Sequence, residues 1–211
     1  MAQAGQLRIH GQGEVEVDLI VAYLNDFRFA YNALCVFEET IDGWARTSKR
    51  YPFPLFELEM AYGWRSYQRG GRAVRDVAGT PEELALLVPK SQQLVLSGVV
   101  LQSPGFWEFF GKLNPLEVLR QYLNDRHERR KDREYREGAE QRRLRLENLK
   151  LENEVIRGRI EIAKNLGASE RDLEPLLNQL IYRPLTSLDR HQDLGTINSA
   201  EAPRRIDGQR D

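Results

Sequence analysis

NPLEVLRQYLNDRHERRKDREYREGAEQRRLRLENLKLENEVIRGRIEIAKNL, residues Asn114 to Leu166, decides how the rest of this chain is read. No proline interrupts it between Leu116 and Leu166; its opening is apolar on one face, its middle is charged, and its end carries leucine and isoleucine at spacings of three and four. That pattern predicts a single long helix ending in a coiled-coil seam. Asn114 is placed to cap it, Pro115 suits the first turn, and Glu117 completes a capping box. Leu116, Leu119, Tyr122 and Leu123 form one apolar stripe, so the helix is expected to begin docked on the preceding part of the chain.

Between Asp125 and Arg145 the stripe gives way to nine basic and six acidic residues. Opposite charges four apart, among them Asp125 with Arg129 and Arg130 with Glu134, support an exposed helix by about 0.2–0.5 kcal/mol each. Gly138 is a place for a bend. The seam follows at Leu146, Leu149, Asn153, Ile156, Ile160 and Ala163, with Asn153 as a core amide that sets register. A parallel stripe, Leu144, Leu151, Val155, Ile162 and Leu166, makes the apolar surface too wide for a two-stranded zipper. A return helix is expected to cover it: Gly167 stops the first, Ser169 caps the second, and Leu173, Leu176, Leu177, Leu180 and Ile181 fold back, with Pro175 inside that pattern. From Gln192 no periodicity remains, so residues 191–211 read as a disordered tail.

Upstream, Leu7-Arg8-Ile9 alternates as a short strand before the Gly11-Gln12-Gly13 turn. From Asp18, a candidate cap, the period changes. Leu19, Ile20, Tyr23, Leu24, Phe27, Tyr31, Leu34 and Cys35 share a helix face, with Asn25, Asp26, Arg28 and Asn32 opposite, and Gly43 at or near the end. Such a helix lies on a sheet with its other side in water. Residues 44–53 read as a loop, Leu55 to Tyr62 as a strand, and Gly70-Gly71 as a hairpin turn within an Arg-Gly-Gly-Arg tetrad. Thr80-Pro81-Glu82-Glu83 starts a short helix that Pro89 stops. Gln93 to Gln102 is apolar enough for a central strand, and its phase change at Gly98 marks a bulge. Phe106, Trp107, Phe109 and Phe110 read as a one-turn or two-turn helix plugging the open face of the sheet.

The expected class is therefore α+β. It comprises a small sheet-plus-helix domain over residues 5–102, an aromatic connector over 103–113, a long helix with coiled-coil or hairpin return over 114–190, and the tail.

Composition narrows the function. The 211 residues carry 31 basic and 32 acidic side chains, a net charge of −1, so no global field draws the chain to nucleic acid or anionic lipid. The lone Cys35 sits in an apolar run and reads as a small buried hydrophobe. With no signal-peptide pattern and no apolar span of membrane length, a cytoplasmic location is expected. His10, His127 and His191 are scattered, and no phosphate-cradling loop, metal-spaced cluster or nucleophile elbow is present in the sequence, which points away from catalysis and from a cofactor. The reading that remains is a non-enzymatic scaffold or adaptor, associating with itself or with another helical protein through the seam.

Two alternatives name other surfaces. The run from Arg126 to Leu166 resembles the basic leucine-zipper layout, a basic stretch followed by heptads, which implies phosphate contacts from Arg126, Arg129, Arg130 and Arg133. It departs from that family in its six interrupting acids and in lacking the Asn/Arg base-reading motif. The aromatic connector, Phe106 to Phe110, offers either a partner pocket or an interfacial membrane anchor.

Overall fold

The computed structural model describes residues 3–11, 15–47, 80–102, 104–131 and 153–206. The fold is α+β, with a four-stranded sheet covered on one face by helices. The strands are β1 (Ala4–Gly11), β2 (Val95–Val100), β3 (Gly105–Lys112) and β4 (Arg204–Ile206), in the order β2-β3-β1-β4 with every neighbour antiparallel. Helix α1 (Val17–Thr47) links β1 to the second half of the sheet, and α3 (Leu113–Lys131) follows β3 directly. This is the connectivity of a split β-α-β unit, a layout that serves many unrelated functions. Its first crossover contains the short α2 (Pro81–Leu87). Its second contains α4 (Glu154–Asn165), α5 (Glu170–Leu177), α6 (Arg183–Thr186) and α7 (Asp189–Asp193).

Alternation on β1 and β3 sorts the two faces. Leu7 opposite Phe109 and Ile9 opposite Trp107 turn inward and are buried, whereas Arg8 opposite Glu108 turns outward. The inward aromatics pack on α1: Phe27 stacks on Phe109 at 4.4 Å between centroids, and Tyr23 meets Trp107 edge-on at 5.3 Å. The four aromatics between residues 106 and 110 thus form a strand and not the short helix expected of them. With glutamate at only one of five positions, the run hides its period of two; the register with β1 reveals it.

Helix α1 departs from expectation in its second half. Its amino-terminal turns are wet on one side, but Phe29 to Phe37 are all buried, including Asn32 at 3% exposure, and the helix runs through Gly43. The cause is a second layer: α1 is flanked by α2, α3 and α4 and by residues 178–186, so little of it is left for solvent.

Asn153 corrects the long-helix reading. Its backbone is extended (φ −75°, ψ 109°), and its side-chain oxygen accepts from the N–H groups of Val155 and Ile156 at 3.1 Å each. It is the N-cap of α4, so the helix expected from Asn114 to Leu166 is broken there. A short amide that can bond nearby backbone favours a helix start over a helix interior, and the heptad count passes over that competition. Beyond α4 the stop at Gly167 (φ +101°) and the Ser169 capping box appear as the sequence implies.

Helix α5 passes through Pro175 without splitting there. Irregularity comes at Asn178–Tyr182, a π turn in which the Arg183 N–H reaches the Asn178 carbonyl. Pro184 comes next: it lacks an N–H, and its ring would press on the Leu180 carbonyl in a regular turn, so widening the turn relieves the clash.

The tail expectation is overturned for residues 191–206. His191, Gln192, Thr196, Ile197 and Ala200 are buried, and the segment runs antiparallel along β1. The His10 N–H donates to the Ser199 carbonyl at 2.8 Å, the Asn198 N–H to the His10 carbonyl at 2.7 Å, and the Glu201 N–H to the Arg8 carbonyl at 2.9 Å. Polar composition misled because backbone bonds and buried pairs, and not apolar side chains, hold this stretch. Strands on both sides of residue 103 share one sheet, and a single buried cluster extends from Leu7 to Ala200.

The Thr80 box, with Pro81 at the first helical position, forms as read. The bulge at Gly98 is also present, as a register shift between Leu96 and Gly98. The expected strand over Leu55 to Tyr62 and the Gly70-Gly71 turn lie outside the described residues.

Candidate functional site

The residues singled out for partner binding do not converge. Ile156, Ile160 and Ala163 are buried in this chain's own core, where α4 packs on α1, and they present no seam to a second helix. Asn153 is buried as a cap, its Nδ2 donating to Gln121 Oε1 at 2.6 Å. Leu146 and Leu149 lie outside the described residues. In the parallel stripe Ile162 is 36% exposed, since the return helix packs against α1 through residues 178–182 and does not cover it.

The phosphate reading fares differently at each position. Arg126 is 1% exposed, its Nε 3.0 Å from Asp189 and its Nη2 3.0 Å from both oxygens of Asp193, so its charge is spent inside the protein. Arg129 and Arg130 stand on α3 with side chains outside the described residues, as is Arg133 altogether. Among the connector aromatics, Trp107 and Phe109 are core, which leaves Phe106 and Phe110 half-buried on the outer sheet face. There Arg8 stacks over the Phe106 ring at 4.5 Å and pairs with Glu108 at 2.9 Å, and His10 meets Glu201 at 3.0 Å. Cations and anions alternate across this face, and it carries no strong field of either sign.

Two interior polar groups escaped the sequence reading. Glu38, 2% exposed, lies 3.0 Å from Lys112 Nζ and 3.9 Å from Arg159, while Glu39 meets the same lysine at 3.2 Å and Asp42 pairs with Arg159. Burial pulls the Lys112 ammonium down, but Glu38 and Glu39 outweigh it and hold the ammonium above its ordinary value. The network fastens α1, the end of β3 and α4 together. The second group is His191, fully buried, with Nε2 2.8 Å from Asp26 and its ring edge-on to Tyr23 at 5.6 Å. Asp26 is partly exposed and also pairs with Arg190 at 2.7 Å, and together these contacts secure α7 to α1. Both pairings join residues more than seventy positions apart, which no local pattern announces.

Tyr31 organises a third locus. Its hydroxyl donates to the Gln92 carbonyl at 2.7 Å and accepts from the Lys112 N–H at 2.6 Å, pinning the loop after α2 to the end of β3. Beside it a cavity of about 130 Å³ opens between α1 and that loop, lined by Cys35, Val36, Thr40, Leu87 and Val88 among others. Cys35 is buried, as its apolar setting implies, and burial pushes its thiol up from 9.0 to about 12. The thiol is therefore protonated at neutral pH and is no nucleophile.

An alkaline prediction follows from that sign. An acid whose pKa rises on folding leaves stability complete below its unfolded value and removes it as pH climbs toward the folded value. Unfolding is expected to become easier between pH 9 and about 12, by an amount on the order of a few kcal/mol. Urea midpoints measured from pH 8 to 11 check this. In Cys35→Ala the decline should begin near pH 10, where the buried tyrosines take over.

The remaining feature is the edge of the sheet. Strand β2, expected in the centre, stands at the border of the sheet and, among the described residues, pairs only with β3. Val95, Leu96, Val99 and Leu101 are 43–48% exposed, the densest run of exposed large apolar side chains among the described residues. Apolar composition signals burial on both faces in a central strand, and here the same composition is left half-exposed. The opposite edge is guarded: β4 is three residues long and exposed, and it sets Arg204 and Arg205 along its length. The signal available in the sequence was the bulge, a device that is common at sheet edges. Among the described residues no helix is long and apolar enough to cross a membrane, and no three His, Cys, Asp or Glu side chains stand together as a metal site. No known family model, no curated protein and no solved structure matches this chain.

Proposed function

We propose that this chain is a non-enzymatic interaction module, acting in the cytoplasm, whose binding element is the uncovered edge of β2. A partner adds an extended segment there as a fifth strand. The observation that carries the reading is the contrast between the two edges: one long and apolar, the other short and basic. An open edge offers a row of unpaired N–H and C=O groups; natural sheets blunt such edges with charge, and β2 has none. Main-chain bonds supply the affinity of strand addition, and alternate side chains supply its selectivity. The cytoplasmic part of the proposal rests on the single, buried and protonated cysteine, which suits a reducing compartment.

Selection of displayed random peptides on the full chain, with Val99→Lys as counter-target, tests the reading. Enrichment of extended apolar peptides that are lost on the variant is the expected result. Peptides that bind both proteins equally would place the interaction elsewhere.

A further inference from the structure

We infer that the segment added to β2 is the β2 of a second copy of this chain, antiparallel across a twofold axis, so that two four-stranded sheets become one of eight. The inference rests on the reading of β2 as a binding edge and adds the identity of its occupant.

Charge points to a self-partner. From Leu94 to Leu101 there is no ionisable residue, in a chain of which 30% is charged. Two identical strands therefore meet without the like-charge penalty that a charged edge imposes on itself, and nothing in the segment selects an oppositely charged stranger. At the other edge Arg204 and Arg205 would face their own copies, so β4 against β4 is disfavoured. A twofold contact through β2 thus uses the one uncharged edge among the described residues and closes at two copies, whereas a β2-to-β4 contact would continue into a fibre.

The side chains fit the same arrangement. Because of the bulge, Leu96 and Val99 both lie on the core-facing side, opposite Phe109 and Trp107, yet each is 43% exposed. They are the unfinished rim of the core. With the axis between Ser97 and Gly98, Leu96 of one copy stands across from Val99 of the other on that same face, and the two rims complete each other. Ser97, the extra residue, turns its hydroxyl back to the Glu108 carbonyl at 3.0 Å, so the bulge is satisfied within its own sheet and puts no polar group into the contact.

Sedimentation equilibrium on the full chain tests the proposal, with two double variants: Leu96→Lys/Val99→Lys and Leu96→Glu/Val99→Glu. The wild type is expected to have the mass of two chains at about 100 µM, each variant alone that of one chain, and their equimolar mixture that of two again, at least about tenfold tighter than either alone. Recovery in the mixture also shows that both variants are folded. Three results would overturn the proposal: a wild type that remains a single chain at about 100 µM, variants that keep the paired mass, or folded variants whose mixture does not associate. A monomeric wild type with an edge that still selects peptides sinks the second copy alone; loss of peptide selection as well sinks the edge.

Discussion

Arg126→Met is expected to lower the unfolding free energy by about 3 kcal/mol, because it strips the countercharge from two carboxylates and leaves one of them enclosed. The guanidinium bridges Asp189 and Asp193 at 3.0 Å each, and the Tyr122 hydroxyl adds a 2.5 Å bond to Asp189. These aspartates begin and end α7, which carries His191 and Gln192, and the Gln192 amide donates to the Leu123 carbonyl at 2.8 Å and the Asn198 carbonyl at 2.7 Å. Losing Arg126 therefore loosens the segment that delivers β4 to β1. Denaturant unfolding should show the fall, and amide exchange should quicken first at His10 and Ala200. With the arginine 1% exposed, added salt should change the effect little. The same variant separates the two roles considered for this residue: a phosphate-contacting arginine would lose nucleic-acid binding with stability intact.

Gly11→Ala is expected to cost about 3 kcal/mol, at the upper end of overpacking effects. A β-carbon there would sit 2.1 Å from the Thr196 carbonyl oxygen and 3.4 Å from the Ile197 Cα. Both are main-chain atoms, so no side-chain rotation relieves the contact; β1 and the carboxy-terminal segment must move apart. That segment is already tied to β1 through His10, Asn198 and Ser199, and those bonds would stretch with it. Gly158→Ala in α4 is the control, since nothing lies within 4 Å of its added carbon. It should stabilise by about 0.5–1 kcal/mol, as alanine does over glycine inside a helix. Thermal unfolding of the two variants beside the wild type compares them directly; destabilisation by Gly158→Ala would put the packing of α4 in error.

Much of what local pattern encodes is present in the fold, although α1 starts at Val17 and α3 at Leu113, so that Asp18 and Asn114 lie inside the helices they were expected to cap. The alternation of Leu7-Arg8-Ile9, the face from Tyr23 to Cys35, the Thr80 box and the Leu116 stripe all express periods or caps that act within a few residues. So does the bulge at Gly98. Two of the misreadings share one origin, which is pairing across long separations. Phe106 to Phe110 became a strand because β1, about a hundred residues earlier in the chain, supplies its register. Residues 191–206 became ordered because Asn124, Arg126 and Asp26 meet them from α3 and α1. Asn153 shows another limit: heptad counting treats an amide as a core position, while the backbone two and three residues on offers it bonds as a cap. The candidate site was legible as a strand but not as an edge. Composition from Leu94 to Leu101 says only that the segment seeks apolar company, whereas the sheet order among the described residues places it at an edge.

Amide hydrogen exchange of the unmodified chain at about 5 and 200 µM tests this account most directly, since it reads the β2 backbone without altering a residue. Exchange at Val95–Val100 that slows at the higher concentration, while β1 and α1 are unchanged, is the predicted result. Identical β2 rates at both concentrations would contradict it.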